Sequence, residues 1–342
     1  MTREELYMLR AIELAENARG SVNPNPMVGC VIVHDNKIIG EGWHQEYGKA
    51  HAEVNAILSV KDKTLLANSE VFVSLEPCVH HGKTPPCTDL LIKEKVKKVY
   101  IANIDPNPKV QGKGIQKLRD HRVEVVTGVL HDEGRQLNRR FFTFWEKQKP
   151  YIILKWAETQ DGFIARSNYD SKWISSVPSR KLVHKWRAEE DAILVGTNTA
   201  QHDDPKLNVR DWQGKDPIRI VIDKSLRLKQ SLNLFDQNQK TICYNLLKEE
   251  EKNNLVYVKL NEADFLESMI QDLYQRKVMS VIVEGGASLI SAFIKLNFWD
   301  EARVFISKKT FGEGIAAPVL NGEISGEEKI EDDLLRLYVK TS

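Results

Sequence analysis

The chain has 342 residues, of which 42% are hydrophobic and 28% are charged. This composition is typical of a folded globular protein, and the length predicts two domains. The formal net charge is +1, and the first 150 residues hold 22 Lys/Arg and 19 Asp/Glu. Neither the chain nor its first half has the basic surplus that favours binding to nucleic acid or an anionic membrane.

The sequence contains no run of 18 apolar residues, which argues against a membrane-spanning helix. Its N-terminus is charged and lacks the apolar segment of a secretory signal. The four cysteines, Cys30, Cys78, Cys87 and Cys243, are too few for a disulfide scaffold. We therefore expect a cytoplasmic protein in which Cys78 and Cys87 are candidates for metal binding or catalysis.

Strand and helix patterns alternate along the first half. Residues 1–20 predict an amphipathic helix whose buried face holds Leu6, Leu9, Ile12 and Leu14. The later predicted elements are, in order, strands at 28–33 and 38–43 joined by a turn at 35–37, a helix at 51–60, a strand at 71–75, a helix at 85–95, a strand at 99–103, a helix at 113–121, a strand at 123–127 and one long helix at 132–145.

The polar segment KQKP at 147–150 predicts a boundary between domains at 1–146 and 150–342. Beyond it the alternation restarts, with strands predicted at 151–156, 192–195, 218–222, 241–244, 255–258, 281–283 and 302–306, and helices at 177–187, 262–276 and 287–296. This order predicts two α/β domains, each with a sheet covered by helices.

Three residues of the first half have the chemistry of zinc ligands. His51, Cys78 and Cys87 offer one imidazole and two thiolates, and a fourth position left for water is typical of a catalytic site. Glu53, two residues after His51, is a carboxylate that could carry protons. This arrangement follows the H-x-E and P-C pattern of zinc-dependent nucleobase deaminases.

The spacing of the two cysteines leaves alternatives open. Eight residues, 79–86, separate Cys78 from Cys87, whereas the usual signature is Cys-x-x-Cys. A structural zinc with His80 or His81 as its fourth ligand, or two unrelated thiols, would fit the same residues.

Four stretches of the first half resemble a known family: NPNPMVGCVIV, GWHQEYGKAHAEVNAI, VSLEPCVHHGKTPPCTDLLI and NIDPNPKVQGKGI. They are similar to the deaminase half of the bifunctional riboflavin-biosynthesis deaminase–reductases, whose cysteine motif carries the same insert. The resemblance implies a cytidine-deaminase-like zinc domain that removes the 2-amino group from a diaminopyrimidinone carrying a ribosylamino 5-phosphate. It also implies that Asn25, His44, His80 and Lys83 line the substrate pocket.

The second half contains a glycine pair between a predicted strand and a predicted helix. Glu284-Gly285-Gly286 follows strand 281–283, where glycines and a helix N-terminus could receive a phosphate. Alone, such a turn is equally consistent with tight packing.

Four further stretches, LKWAETQDGFIA, DSKWISS, RAEEDAILVGTNTAQHDDPKLNVR and VEGGASLI, resemble in order the reductase half of the same family. The resemblance implies a dihydrofolate-reductase-like domain that uses NADPH to reduce the ribosyl group to a ribityl chain. It implies dinucleotide contacts from Ala157, Trp173, Thr199, Asp203, Gly286, Ala287, Ser288, Leu289, Ile290, Ser291 and Ala292. It implies substrate contacts from Ser171, Arg187, Leu207, Arg210 and Glu284.

A cluster after strand 218–222 bears on the choice of cofactor. Lys224 stands where the family often has serine, and Ser225 and Arg227 follow. Lys224 or Ser225 would bind the 2′-phosphate of NADPH. The alternative is that the side chains of Lys224 and Arg227 simply point into water. Lys155 and Asp161 lie near the expected site, and no residue is assigned as proton donor.

These observations predict an enzyme with two active sites, Zn²⁺ and NADPH as cofactors, and a small phosphorylated pyrimidine as substrate. We expect neither nucleic acid nor membrane as a partner, and we expect a homo-oligomer. Two alternatives remain: a nucleic-acid base deaminase with an accessory nucleotide-binding domain, and a zinc-stabilised binding module. The first would need a basic groove with aromatic side chains, and the second would have no use for Glu53.

Overall fold

The computed structural model describes residues 1–79 and 85–340. The chain divides into two compact units, Met1–Gln148 and Lys149–Ser342. Among the described residues, no helix combines the length and the apolar character needed to cross a membrane.

The first unit is a sheet with helices on both faces. Its described helices are α1 (Arg3–Glu16), α2 (Ala52–Ser59), α3 (Cys87–Lys93), α4 (Lys113–Asp120), α5 (His131–Leu137) and α6 (Arg139–Lys147). Its described strands are β1 (Gly29–His34), β2 (Lys37–Trp43), β3 (Glu70–Leu75), β4 (Lys98–Asn103) and β5 (Glu124–Thr127). The strand order is β2-β1-β3-β4-β5, and β3, β4 and β5 run parallel.

Strand β1 is buried on both faces because helices cover both sides of the sheet, and its successive side chains point to opposite sides. Cys30 and Ile32 join the core cluster that includes residues of α2. Val31 and Val33 join the cluster that includes residues of α1. Helix α1 approaches so closely that a Cβ on Gly29 would lie 1.9 Å from the carbonyl oxygen of Ala11, so only glycine fits there. Strand β1 therefore contributes to the core on both sides of the sheet.

The buried face of α1 differs in part from the prediction. Ile12 and Leu14 are buried as predicted, and Leu9 is half-buried. The prediction for Leu6 is wrong, because this residue is 56% exposed. The buried stripe runs instead through Met8, Ala11, Ile12 and Ala15, at the spacing of one helix face. Leu6 lies off that stripe.

The single long helix predicted at 132–145 is also wrong, because two helices occupy this segment. They separate at Asn138, whose φ of −102° and ψ of 25° interrupt the helix. The buried Asn138 side chain accepts a hydrogen bond from the Met27 N–H (2.9 Å) and donates one to the Met27 carbonyl oxygen (2.8 Å). The break therefore satisfies a buried backbone segment more than a hundred residues away.

The second unit has a larger sheet. Its described helices are α7 (Val177–Glu189), α8 (Thr197–Asp203), α9 (Phe265–Gln275) and α10 (Ala287–Lys295). Its described strands are β6 (Tyr151–Glu158), β7 (Phe163–Ala165), β8 (Ala192–Gly196), β9 (Ile218–Ile222), β10 (Thr241–Asn245), β11 (Glu250–Lys252), β12 (Leu255–Lys259), β13 (Ser280–Val283), β14 (Glu301–Ile306), β15 (Ile315–Ala316), β16 (Glu323–Ile330) and β17 (Asp333–Val339).

Ten strands of the described chain form one sheet, in the order β11-β12-β10-β9-β8-β13-β6-β14-β17-β16. The strands from β12 to β14 in this order pair in parallel. One face packs on α9 and α10 through residues such as Leu154 and Phe293. The other face packs on α7 through Ile153 and Trp186. The carboxyl ends of the parallel strands consequently meet at one edge of the sheet.

The strands and helices predicted for the second half are all present, within a few residues at their ends. The prediction missed helix α8, the small β7–β15 pair, strand β11 and the terminal β16–β17 hairpin. Strand β16 is mostly exposed and carries the sequence EISGEEKI, so its side chains show no apolar alternation. Such an edge strand is held by pairing with β17 rather than by its own pattern.

Replacing Asn138 with alanine tests how much its two hydrogen bonds to Met27 stabilise the first unit. We expect Asn138→Ala to lower the free energy of unfolding of the first unit by about 2–4 kcal/mol, because two buried backbone groups of Met27 lose their partner. Calorimetry of the full chain measures this change. Gln136→Ala, at an exposed neighbour, is the matched control, and equal transitions in the two variants would contradict the role given to Asn138.

Candidate active sites

The candidate zinc ligands lie together in the first unit. The ligand atoms of His51, Cys78 and Cys87 are all within 4.8 Å of one another. His51 Nδ1 is 3.6 Å from Cys78 Sγ and 3.4 Å from Cys87 Sγ. Tetrahedral zinc, with bonds of about 2.3 Å to sulfur and about 2.0–2.1 Å to nitrogen, holds such atoms about 3.5 Å apart. The donor set and its spacing therefore fit Zn²⁺.

Local structure explains how the three side chains meet. His51 is the residue directly before α2, Cys78 follows the end of β3, and Cys87 is the first residue of α3. The Cys87 backbone N–H donates to Cys78 Sγ (3.3 Å), and the Thr88 hydroxyl donates to the Cys78 carbonyl oxygen (3.1 Å). These bonds hold the end of β3 against the start of α3.

Charge and burial distinguish the groups around this cluster. Hydrogen bonding to Cys87 and to His51 lowers the pKa of Cys78 to about 4, which favours the thiolate that a metal needs. Glu53, in the first turn of α2, is 3% exposed. Burial raises the pKa of Glu53, and the neighbouring Cys78 adds to this effect. This environment favours the protonated form of the Glu53 carboxyl group more than an exposed position would.

Two of the predicted pocket residues stand beside the cluster. The ring of His44 contacts that of His51 edge to face, with centroids 5.3 Å apart. His44 Nδ1 donates to the Ala50 carbonyl oxygen (3.0 Å), which leaves Nε2 to accept from the Asn25 amide (3.2 Å). Burial lowers the pKa of His44, in keeping with a neutral ring. His80 and Lys83, and the alternative ligand His81, lie outside the described residues.

Sequence reasoning missed a buried acid next to the cysteine motif. The Glu76 carboxylate is 4% exposed and accepts backbone N–H bonds from Gly112 (2.9 Å) and Gly114 (2.8 Å). It thereby ties the start of α4 to the strand end that carries Cys78. Burial raises the pKa of the nearby Asp105 to about 7. In the sequence, the position of Glu76 directly after an apolar strand could have indicated a functional residue.

The second unit contains a cavity of about 1020 Å³. This volume lies at the upper end of the range of about 300–1000 Å³ that is usual for ligand pockets. Its lining includes nearly all the predicted residues: Ala157, Ser171, Trp173, Arg187, Thr199, Asp203, Leu207, Arg210, Lys224, Glu284, Gly286, Ala287, Ser288, Leu289, Ile290 and Ala292. The described lining does not include Ser225 or Ser291, which are both exposed.

The two adjacent glycines have different functions in the structure. A Cβ on Gly285 would lie 2.5 Å from the backbone nitrogen of Gly196, so this glycine permits the close approach of two chain segments. Gly286 lines the cavity, and its N–H donates to the Thr199 hydroxyl (2.8 Å). The start of α10 therefore opens onto the cavity, where its N–H groups suit the phosphates of a dinucleotide.

Three charged side chains meet at the sheet edge. Arg187 donates to Glu284 through Nε (3.0 Å) and Nη2 (2.7 Å), and these side chains are 11% and 9% exposed. Burial by itself would raise the pKa of Glu284, but the charges of Arg187 and Lys155 outweigh it and lower the pKa to about 2. Burial lowers the pKa of Lys155. Sequence reasoning left Lys155 without a function, because only the fold brings it to Glu284.

The turn after β9 presents two cations to the cavity, Lys224 and Arg227. The buried Asp223 carboxylate accepts the backbone N–H groups of Arg227 (3.2 Å) and Leu228 (2.9 Å) and so shapes this turn. Arg227 Nη2 donates to Asn198 on α8 (2.6 Å). Two cations on a fixed turn suit an additional phosphate of a dinucleotide.

Comparisons with known proteins agree with this geometry. Residues 1–103 match the profile of the cytidine and deoxycytidylate deaminase zinc-binding region, and residues 150–337 match that of the RibD C-terminal domain. The chain is 41% identical over 316 residues to the riboflavin biosynthesis protein RibD of Aquifex aeolicus, covering 91% of this chain and 88% of that protein. It is 36% identical over 330 residues to RibD of Escherichia coli K12, covering 91% and 89%.

A solved structure extends the similarity to the whole fold. The diaminohydroxyphosphoribosylaminopyrimidine deaminase/5-amino-6-(5-phosphoribosylamino)uracil reductase of Thermotoga maritima matches with a TM-score of 0.91 and 38% identity, covering 99% of both chains. Acinetobacter baumannii RibD matches with a TM-score of 0.90 and 32% identity, again covering 99% of both chains.

Fold and sites together define a two-domain enzyme that joins a zinc-dependent deaminase to a dihydrofolate-reductase-like reductase. The chain belongs to the RibD family of bifunctional riboflavin-biosynthesis deaminase/reductases. The predicted fold class, the two activities and the cofactors Zn²⁺ and NADPH are thereby confirmed. The nucleic-acid deaminase and the binding module are not favoured.

Proposed function

We propose that the first unit removes the 2-amino group of a diaminopyrimidinone that carries a ribosylamino 5-phosphate. The second unit then reduces the ribosyl group of the product to a ribityl chain. The observation that carries this proposal is the pairing, in one chain, of the His51–Cys78–Cys87 cluster with a large cavity lined by cations. The relative from Thermotoga maritima is named as a diaminohydroxyphosphoribosylaminopyrimidine deaminase and a 5-amino-6-(5-phosphoribosylamino)uracil reductase, which supports this proposal.

In the first unit, His51, Cys78 and Cys87 would hold the zinc ion. Bound zinc supplies a Lewis acid that lowers the pKa of a water molecule beside the substrate. Glu53 takes a proton from the attacking water and delivers protons to the ring and to the departing ammonia. Its burial supports this role, because the raised pKa lets the carboxyl group both accept and release a proton.

The substrate in this site would lie against Asn25 and His44. The Asn25 amide and the His44 ring are already aligned by their mutual hydrogen bond of 3.2 Å. A neutral His44 offers a polar edge without placing a cation beside the metal ligands. His80 and Lys83 remain proposed substrate contacts on the evidence of the sequence alone.

In the second unit, the start of α10 would receive the NADPH phosphates, with Thr199 holding Gly286 in place. Ala157, Trp173 and Asp203 line the same cavity and complete the proposed dinucleotide site. Lys224 and Arg227 would bind the 2′-phosphate. Their position on the cavity wall supports this assignment, whereas Ser225 and Ser291 are exposed and outside the described lining.

Arg210 is the proposed ligand of the substrate phosphate. Its side chain lines the cavity and is 57% exposed, with Asp211 3.6 Å away. The Arg187 guanidinium already binds Glu284 through two nitrogens, so its proposed role is to hold that carboxylate towards the substrate. Ser171 and Leu207 line the same part of the unit as further substrate contacts.

Lys155 is the proposed proton donor of the reduction. Opening the ribosyl ring breaks the C1′–O4′ bond, after which C1′ takes a hydride and O4′ takes a proton. NADPH supplies the hydride. Lys155 lines the cavity near Glu284, and its lowered pKa eases release of the proton.

The cytoplasmic location and the homo-oligomeric state of the protein remain predictions from the sequence.

Replacing Glu53 with glutamine tests the deaminase assignment. We expect Glu53→Gln to keep its zinc and to lose at least about 10²–10⁴-fold in ammonia release, because the amide cannot carry protons. Metal analysis and an ammonia assay with the diaminopyrimidine ribosyl phosphate measure both. Reduction of substrate that is already deaminated should survive. Glu46→Gln, at an exposed glutamate, is the control, and ammonia release at the wild-type rate would refute the assignment.

Lys155→Met tests the proton donor. We expect kcat of the reduction to fall by about 10²-fold or more while KM for NADPH is unchanged. In the wild type, kcat should fall as pH rises through the lowered pKa of Lys155, below the ordinary lysine value of about 10.4, because a general acid must be protonated. The variant should lack this alkaline limb. Lys181→Met is the control, and an unchanged pH profile in Lys155→Met would exclude the role.

The preference for NADPH over NADH tests the two cations. We expect the double variant Lys224→Ala, Arg227→Ala to lose most of a preference that is at least about tenfold in the wild type, because charge-assisted bonds to the 2′-phosphate are lost. Comparing kcat/KM for both cofactors measures this. Equal use of NADH by the wild type would refute the cofactor specificity. An unchanged preference in the double variant would refute only the residue assignment.

A further inference from the structure

The 204–211 segment, which follows α8, brings Arg210 to the cavity without forming a helix or a strand. Asp204 and Leu207 have φ values of 39° and 51°, in the left-handed region that non-glycine residues rarely adopt. Such a segment keeps its shape only where the surrounding structure determines it.

Side chains from elsewhere in the unit supply this constraint. The Asp204 carboxylate accepts the backbone N–H of Asn233 (2.7 Å), and the Asn233 side chain donates to the Asp204 carbonyl oxygen (3.0 Å). Arg187 Nη1 donates to the carbonyl oxygen of Asn208 (3.4 Å), and Asp216 accepts the N–H of Val209 (2.7 Å). Hydrogen bonds to the rest of the unit therefore constrain the segment on the N-terminal side of Arg210.

At Arg210 itself, the constraint is a hydrogen bond to His184 on α7. The Arg210 backbone N–H donates to His184 Nδ1 (3.4 Å), so the proton of a neutral ring lies on Nε2. His184 Nε2 is 3.3 Å from an Asp211 carboxylate oxygen, and that same oxygen is 3.6 Å from Arg210 Nε. The imidazole therefore reaches the backbone of Arg210 directly and its guanidinium through Asp211.

Burial and charge both favour the neutral form of this ring. The His184 side chain is 3% exposed. Burial lowers the pKa of His184, and the cations Arg187 and Arg210 lower it further, against opposing effects of Asp211 and Glu284. A neutral imidazole keeps its Nδ1 lone pair available for the Arg210 N–H.

We propose that His184 is a positioning residue of the reductase, which orients Arg210 to bind the phosphate of the ribosyl substrate. This inference rests on the proposed phosphate-binding role of Arg210. His184 does not itself touch the reacting atoms. Its loss should weaken recognition of the phosphate and leave the hydride and proton transfers largely intact.

The test compares the deaminated substrate with its dephosphorylated analogue at saturating NADPH, using the full-length enzyme. We expect Arg210→Ala to raise KM for the phosphorylated substrate by about tenfold or more and to change kcat/KM for the analogue little. His184→Leu should raise the same KM by about three- to tenfold, with a smaller change in kcat. His184→Asn, whose carbonyl oxygen can replace Nδ1 as acceptor, should restore much of the affinity.

The outcomes separate the inference from its premise. An Arg210→Ala variant that loses affinity equally for both substrates would overturn the phosphate site and the inference together. A selective loss in Arg210→Ala but an equal loss for both substrates in His184→Leu would overturn the inference alone. If His184→Leu does not fold, the test rests on His184→Asn and His184→Gln, and glutamine performing as well as asparagine would contradict the Nδ1 contact. Lys185→Gln, on the same helix, is the control and should match the wild type.

Discussion

Parallel strand pairing is the constraint on which both sites depend. In the first unit, β3 and β4 run parallel, so the residues after their ends, Cys78 and Asp105, lie at the same edge. In the second unit, β13 lies parallel to β8 and β6, so Glu284 follows one strand end beside Gly196 of the next. Ligand sites in open α/β sheets form at this edge because the connecting loops converge there.

The second unit contains a buried ion pair between Arg187 and Glu284, although burial by itself disfavours the charged form of Glu284. Removing one partner of a buried ion pair costs about 3–5 kcal/mol, so Arg187 and Glu284 depend on each other. Their mutual bonds leave Lys155 as a third charge whose pKa is lowered by burial. One cavity therefore holds a carboxylate whose pKa is lowered by two neighbouring cations and a lysine whose pKa is lowered by burial.

Most strands were predictable because their side chains are apolar and their ends carry turn residues. The hairpin between β1 and β2 is an example, since Asp35 and Asn36 both have positive φ, as a tight turn that matches strand twist requires. The helix break at Asn138 was not predictable from local sequence, because the Asn138 side chain forms its hydrogen bonds with the backbone N–H and carbonyl oxygen of the distant Met27. The exposure of Leu6 was missed for a related reason: which stripe of α1 faces inward depends on the sheet beneath it.

The sequence by itself determined the candidate zinc ligands and the carboxylate beside them, and it left open a fourth ligand from His80 or His81. A short motif fixes which chemical groups are present, and the elements around His51, Glu53, Cys78 and Cys87 follow from local patterns. Only the tertiary structure decided which charges pair in the second unit. Arg187 and Glu284 are 97 residues apart, and His184 meets Arg210 across 26 residues of chain. These pairs form because α7 packs on one face of the sheet, and no local sequence pattern encodes that packing.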